Sequence, residues 1–163
     1  MASVKQTYDD QNLGMKVRYN KQGILCSKLD EVTPEAEEKL LQAALFADDL
    51  VLLAPSEHQL QVMIDTFTEV ANKFGQLVSE KKTEVMVSTY GHANGVEQPK
   101  LKVTLTQDGI TKVLNQVQSF KYLGSRLTSD ATMDNEINVR AGRMWAAYHK
   151  YEKTVFNQPH VPL

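Results

Sequence analysis

Cysteine is almost absent from these 163 residues: Cys26 stands alone, so no internal disulfide can staple the chain, and a reducing compartment suits it. Long apolar runs are missing as well. The two longest, 43–47 and 50–54, fall far short of the roughly 20 residues that a membrane-spanning helix needs, and Asp48 and Asp49 part them. The N-terminal stretch MASVKQTYDDQNLG has one lysine, no apolar centre and no cleavage-like site, so an intracellular location, cytoplasmic or nuclear, is expected. There is no surplus of one charge: 18 Lys and Arg face 20 Asp and Glu, for a net charge of −2. Proteins that hold nucleic acid alone usually carry a basic excess. The four histidines, His58, His92, His149 and His160, show no metal-ligand spacing, and no serine or cysteine triad suggests itself, so a hydrolase reading has no support.

What is present describes an ordinary globular chain, 42% hydrophobic and 23% charged, of a length that forms one domain with room for an appendage. A chain of this size buries roughly two-thirds of the surface its unfolded form exposes. The charge is unevenly spread: residues 1–80 hold 7 basic and 13 acidic groups, residues 81–163 hold 11 and 7. The basic half is the candidate nucleic-acid face, with a chance asymmetry of solvated surfaces as the plain alternative.

Alternation in MKVRYNKQGILCSKL predicts a β-hairpin over 15–29, turning at 20–23, with Val17, Tyr19 and Ile24 among its packing residues. Thr33-Pro34 followed by Glu35, Glu37 and Glu38 reads as an N-cap, a first-turn proline and acids at the positive end of a short helix reaching about Ala43. Two strand-length runs flank the aspartate pair. Ser56-Glu57-His58-Gln59 then makes a capping-box pattern, and Leu60, Met63, Ile64, Phe67, Val70, Ala71 and Phe74 recur at helical spacing until Gly75 supplies the stop. Residues 84–89 form a strand candidate and 90–99 a loop rich in helix and strand breakers. Leu101, Val103 and Leu105 alternate, Asp108-Gly109 marks a turn, and 110–113 can return as the partner strand. Residues 118–127 make a further extended segment. From about Met133, Ile137, Ala141, Met144, Trp145, Tyr148 and Val155 trace a long amphipathic helix, stopped by Pro159 and Pro162, that can project from the rest. Interleaved strands and helices with two hairpins imply an α+β fold with a mainly antiparallel sheet packed on helices.

The feature most in need of a reason is Asp48-Asp49. A tight hairpin turn favours Asn-Gly or Asp-Gly, and neither residue here is glycine. Adjacent carboxylates also repel, by about 1 kcal/mol at 4 Å in bulk water and more where apolar flanks exclude solvent. A divalent cation answers both points, since Mg²⁺ takes hard oxygen ligands and uses one or two carboxylates together with substrate phosphates. A solvated acidic turn is the alternative.

With its neighbours, the string LFADDLVLLA resembles the catalytic motif of reverse transcriptases, an aromatic residue, a variable one and two aspartates on a hairpin. In the non-long-terminal-repeat retrotransposon enzymes that hairpin is followed by a helix, a Gly-initiated segment ending Lys-Thr-Glu, an aromatic-x-Tyr-Leu-Gly motif and an acidic-Glu-Ile-x-x-Arg helix. This chain has FADDLVLLAPSEHQLQVMIDTF, GQLVSEKKTEVM, FKYLGSRLTSD and DNEINVRAGRMWAAY in that order, and GMKVRYNKQGIL is similar to the stretch before the aspartates. The resemblance covers about residues 14–157.

It implies an N-terminal polar segment at 1–13, a partial palm with catalytic hairpin and primer grip at 14–130, and the start of a thumb at 131–163. Asp48 is then the chief metal-binding carboxylate and Asp49 its catalytic neighbour, with Mg²⁺ as the expected cofactor, and Phe46 and Ala47 lie beside the primer end. Lys82 of KKTE matches the lysine that approaches the departing pyrophosphate, where a cation neutralises charge or supplies a proton; a solvated lysine is the alternative. Phe120, Lys121, Tyr122, Leu123 and Gly124 match the primer-grip hairpin, and Arg140, Arg143 and Lys150 are available to a phosphate backbone. Two departures concern the thumb: Ala141 stands where the family often has isoleucine, and Trp145 is bulkier than usual.

The family's palm also uses a third aspartate from an earlier strand and a nucleotide-pocket segment. Residues 1–13 hold neither, Asp9 and Asp10 lacking a flanking apolar strand. The expectation is therefore a piece of a reverse transcriptase whose complete form copies an RNA template from a DNA primer, inactive alone and prone to self-association through exposed edges. The alternative is a non-catalytic remnant that binds nucleic acid or a protein partner through its basic half.

Overall fold

The computed structural model describes residues 2–19, 37–89 and 98–152. Its elements are α1 (Ala2–Asp10), β1 (Met15–Tyr19), β2 (Glu37–Leu41), β3 (Ala43–Phe46), β4 (Asp49–Leu52), α2 (Glu57–Lys73), a 3-10 turn (Glu80–Lys82), β5 (Glu84–Val85), β6 (Thr104–Gln107), β7 (Ile110–Val113), β8 (Asn115–Gln116), β9 (Ser119–Tyr122), β10 (Ser125–Thr128) and α3 (Asp134–Tyr151). The fold is mixed α+β with antiparallel pairing, as the sequence implied. Among the described residues the strands are joined in twos rather than in one layer: β1 with β2, β3 with β4, β5 with β8, β6 with β7 and β9 with β10. The chain forms two compact units, Met1–Thr83 with Leu101–Asn115, and Glu84–Lys100 with Gln116–Leu163.

The first unit is built around α2. Ser56 caps it, its side chain accepting the Gln59 N–H at 3.3 Å. At the other end the Gly75 N–H reaches the Asn72 carbonyl and the Gln76 N–H the Ala71 carbonyl, with Gly75 at φ 69°, so the helix closes in a Schellman motif. Met63 is fully buried and meets Val4, Tyr8 and Leu13, with Leu52, Ala54, Val62 and Val70 packed around them. The Tyr8 hydroxyl donates to the Met63 carbonyl at 2.6 Å, and burial pushes its pKa from 10.0 up to about 12. The segment expected to be merely polar thus contains α1, whose Val4 and Tyr8 form an inward face with Leu13 just beyond its end, all covered by Met63. Elsewhere on α2, the Gln61 side chain accepts the Thr104 N–H at 2.7 Å and donates to the Thr104 carbonyl at 2.9 Å, pinning β6 beside buried Val103 and Leu105. Asp108 and Gly109 both have positive φ, the turn conformation that joins β6 to β7 as their sequence predicts.

Residues 37–41 depart from the expected short helix. They form β2, paired antiparallel with β1 in a register that sets Arg18 opposite Glu38 and Met15 opposite Leu41. Glu38 bridges Lys16 at 2.8 Å and Arg18 at 3.5 Å, and the Lys16 hydrogen bond holds its carboxyl below the usual carboxylate range. Local helix signals at 33–35 thus give way to cross-strand pairing by 37. The expected return strand of the first hairpin, Ile24 and Cys26 included, the Thr33-Pro34 cap, most of the 90–99 loop, and Val155, Pro159 and Pro162 lie outside the described residues.

In the second unit the Val117 N–H donates to the Val85 carbonyl, the Ser129 N–H to the Gln118 carbonyl and the Thr89 N–H to the Ser129 carbonyl. The strand expected over 84–89 is thereby reduced to Glu84–Val85, and 118–127 folds into two strands instead of one. α3 follows with its first turns against β10. No helix among the described residues is long and apolar enough to cross a membrane.

Candidate functional site

β3 and β4 form a hairpin in register Ala43–Leu52, Ala44–Val51, Leu45–Leu50 and Phe46–Asp49. The aspartates divide their positions: Asp48 lies in the turn with Ala47, and Asp49 opens β4 opposite Phe46. Ala47 takes a positive φ of 53°, a conformation that glycine adopts freely and alanine only under strain. Strain of this kind persists where the surrounding structure over-determines it and is concentrated at functional sites. The base of the hairpin is anchored through Leu52 and Ala54 at the Met63 core and by the Leu53 N–H on the Gln42 carbonyl at 2.8 Å. Its tip, Phe46 to Asp49, is exposed.

Neither the Asp48 nor the Asp49 side chain makes a hydrogen bond or ion pair among the described residues. Two exposed, unpaired carboxylates suit a hard cation that keeps most of its water, and they are the donors this chain would offer Mg²⁺. Among the described residues no cluster of three or more His, Cys, Asp or Glu could complete the shell. Water and phosphate oxygens would have to fill it.

Lys82 ends the 3-10 turn of the first unit, exposed, with its N–H on the Ser79 carbonyl. Its neighbour Glu80 is held by Lys112 of β7, which fixes the turn and leaves the Lys82 ammonium without an ion pair among the described residues. Lys82 thus shares a unit with Phe46, Ala47, Asp48 and Asp49, and no direct bond joins it to either aspartate.

The second unit carries the remaining candidates. Phe120, Lys121 and Tyr122 lie on β9, and Leu123 and Gly124 make the turn into β10 at φ 48° and 84°. That is a type I′ turn with leucine where asparagine or glycine is the ordinary choice. Phe120 and Tyr122 are half-buried; Lys121, Leu123 and Gly124 are exposed.

Arg140, Arg143 and Lys150 are all exposed on α3, but they are not equivalent. The Arg140 Nε donates to Glu136 and its Nη2 to the Ser125 hydroxyl at 3.1 Å. Glu136 is buried, 6% exposed, and its other oxygen accepts the Arg126 backbone N–H at 2.9 Å. The Arg140 hydrogen bond, then the Arg126 N–H, hold the Glu136 carboxyl below the usual range. Arg126 closes the group by donating to the Ser119 hydroxyl at 2.9 Å. Sequence reasoning passed over Glu136, Ser125 and Arg126; the Glu-to-Arg spacing of four on one helix was the available signal.

Residues 23–127, more than half of the chain, match the family of the reverse transcriptase (RNA-dependent DNA polymerase), and the chain belongs to that family. It is similar to a transposon-derived protein of Caenorhabditis elegans, 27% identical over 109 residues that make up 67% of this chain and 37% of that protein. The chain thus spans little more than a third of the length of this relative. No solved structure gives a significant match.

Proposed function

We propose that the chain is the C-terminal half of a reverse-transcriptase palm, residues 14–130, followed by the beginning of a thumb at 131–163, of the non-long-terminal-repeat retrotransposon type. The observation that carries this reading is the β3–β4 hairpin, which lifts two unpaired carboxylates to an exposed tip at the place where the family's catalytic motif falls. The order of the Lys-Thr-Glu, Tyr-Leu-Gly and Glu-Ile-x-x-Arg motifs behind it supports the retrotransposon type. The proposed palm draws residues from both compact units.

On this reading Asp48 and Asp49 hold the metal, Phe46 and Ala47 border the primer end, and Lys82 faces the leaving pyrophosphate. Phe120 to Gly124 cradle the primer strand, and Arg143 and Lys150 meet its phosphates, while Arg140 holds the grip hairpin through Glu136 and Ser125. Bound Mg²⁺ supplies charge neutralisation at the reacting phosphate. The protein's part is positioning: an exposed carboxylate tip on a half-buried base, and a lysine whose acidic neighbour is already paired. The full reaction of RNA-templated DNA synthesis calls for a third carboxylate, so this chain by itself extends no primer.

Primer extension on an RNA template with Mg²⁺ or Mn²⁺, run beside Mn²⁺ titration by electron paramagnetic resonance, tests the reading. The expected result is weak Mn²⁺ binding that Asp48→Ala with Asp49→Ala removes, and no extension. Binding untouched by the double substitution would overturn the placement of the metal. Extension that the double substitution abolishes would show that this chain, or a second copy, completes the site. RNA binding that weakens with salt, survives loss of both aspartates and fails without Lys121, Arg140 and Arg143 would favour a non-catalytic remnant.

A further inference from the structure

We propose that Gln107 and Lys112, on the two strands of the β6–β7 hairpin, are positioning residues for Lys82: together they hold the 3-10 turn that carries it and fix where its ammonium meets a phosphate. The proposal rests on the reading of Lys82 as the group that meets pyrophosphate. The stretch that delivers Lys82 has little of its own to hold it. Between the end of α2 and the turn, residues 76–79 form no regular structure, and Phe74 and Leu77, 73% and 69% exposed, give it no apolar anchor. The turn is three residues long and its own bonds are local: the Lys82 N–H, the Thr83 N–H and the Thr83 hydroxyl all reach the Ser79 carbonyl, at 3.1, 3.0 and 2.8 Å. Bonds of that kind shape a turn without fixing it against the rest of the protein.

Two side chains of the hairpin do fix it. The Gln107 Oε1 accepts the Val78 N–H at 2.7 Å and its Nε2 donates to the Val78 carbonyl at 2.8 Å, so one amide takes both backbone groups of a half-buried residue. It does what a neighbouring strand would do, and sets both the place and the direction of the chain just before the turn. On β7, Lys112 pairs with Glu80, the first residue of the turn. The register sets Lys112 opposite Leu105 and Ile110 opposite Gln107, so alternation puts Gln107 and Lys112 on the one hairpin face that buries Leu105. The Lys112 and Glu80 side chains are 52% and 39% exposed, and a solvated pair of this kind adds little stability. Its effect is on where the turn lies, and it also neutralises the carboxylate nearest Lys82, so an approaching phosphate meets no free negative charge there.

The hairpin can transmit a position because it is itself tied to α2 in the same way. The Gln61 amide holds the N–H and the carbonyl of Thr104, and Glu57, one helical turn earlier, accepts the Lys102 N–H at 2.8 Å. The same helix carries the base of the aspartate hairpin, through Leu52 and Ala54 at the Met63 core. α2 thus sets the aspartates by apolar packing and Lys82 by two glutamine amides in series, Gln61 on Thr104 and Gln107 on Val78, all within the first unit. Hydrogen bonds are directional where apolar contact is not, and paired bonds on both groups of one residue leave it little freedom to turn. With both polar atoms of its amide engaged, Gln107 acts on a phosphate only through Lys82.

Phosphorus NMR titration of the full chain with magnesium pyrophosphate, run as a double-substitution cycle, tests this. Weak binding is expected, with Lys82→Ala raising the dissociation constant about tenfold, and Gln107→Ala or Lys112→Ala about fivefold each although Lys82 is still present. Added to Lys82→Ala, neither should cost anything more, because a positioning residue then has nothing left to position, whereas a merely structural loss would add. Lys112→Arg, which keeps the pair with Glu80, should bind as the wild type does. Lys112 is exposed, so its substitutions should leave circular dichroism unchanged even where Gln107→Ala loosens the fold. Losses that add to that of Lys82→Ala, no loss in either alanine variant, or a Lys112→Arg variant as weak as Lys112→Ala would each overturn the proposal and leave the reading of Lys82 standing. Pyrophosphate that fails to bind the wild type, or binds Lys82→Ala equally well, would overturn that reading and the proposal with it.

Discussion

Glu136 holds Arg140 one turn along α3 with one carboxylate oxygen and the backbone N–H of Arg126 at 2.9 Å with the other, so a single buried side chain fastens the helix to the hairpin that carries Phe120 to Gly124. Removing it strands the Arg126 N–H and frees Arg140 to swing away from Ser125. Glu136→Ala should lower the melting temperature by several degrees at pH 7, and Glu136→Gln by less, since the amide oxygen can still accept from Arg126. Because the folded carboxyl titrates below its ordinary value of 4.5, its contribution is present above pH 4.5 and is lost as pH falls through the lowered folded value. The gap between wild type and Glu136→Ala, followed by calorimetry, should therefore close on acidification; a constant gap would show that the carboxylate's charge is not what matters.

Tyr8 gives the opposite pH dependence. Its hydroxyl is hydrogen-bonded to the Met63 carbonyl, and its pKa is raised from 10.0 to about 12 because the phenolate cannot be solvated there. The folded state keeps the proton after the unfolded state has lost it, so stability falls as pH climbs from 10 towards 12. Tyr8→Phe should cost about 1 kcal/mol at pH 7 through the lost hydrogen bond. It should also remove part of the alkaline loss, so that the two melting curves converge above pH 10. A gap that stayed constant through that range would place the hydroxyl in contact with water.

α2 was legible in full because its signals are local: Ser56, the apolar spacing and Gly75 all act within a few residues of the helix they define. The Asp108-Gly109 hairpin was legible for the same reason. α1 was not, since Val4 and Tyr8 are isolated in a polar stretch and become a buried face only when Leu13, just past the helix, and Met63, far along the chain, pack on them. β2 was misread because Glu35, Glu37 and Glu38 suit a helix start equally well, and the residues that decide, Lys16 and Arg18, lie on another strand. At the site, the hairpin under Asp48 and Asp49 could be read from its apolar flanks, whereas the bonds from Arg140 to Ser125 and from the Arg126 N–H to Glu136 could not, because Ser125 and Arg126 reach α3 only through the turn at Leu123-Gly124.

Gly14 tests how tightly the start of β1 is held. Its φ is 125°, and a Cβ there would stand 2.9 Å from both the Leu41 carbonyl oxygen and the Gln42 Cγ. Gln42 cannot simply withdraw, because its side chain donates to Asp9 at 2.8 Å and its carbonyl accepts from Leu53 at the base of the aspartate hairpin. Gly14→Ala should destabilise the protein by about 3 kcal/mol, backbone strain and overlap together. Chemical denaturation measures this directly, and a loss within the ordinary cost of about 1 kcal/mol for a misplaced alanine would mean that the β2–β3 junction yields.

Leu123 and Ala47 share one feature: each is a non-glycine residue at positive φ in the turn of a hairpin proposed to touch the primer. Stability alone would place asparagine or glycine at both, so Leu123→Asn and Ala47→Gly should each raise stability by about 0.5–1 kcal/mol. Leu123 is exposed and gives up little packing on replacement. If these turns are strained for function, the same substitutions should weaken binding of a primer–template duplex several-fold even as the melting temperature rises, whereas turns without a role would gain stability and bind unchanged. Reading thermal unfolding and duplex binding on the same two variants separates those outcomes, because a merely structural turn has no means of lowering affinity while the fold becomes more stable.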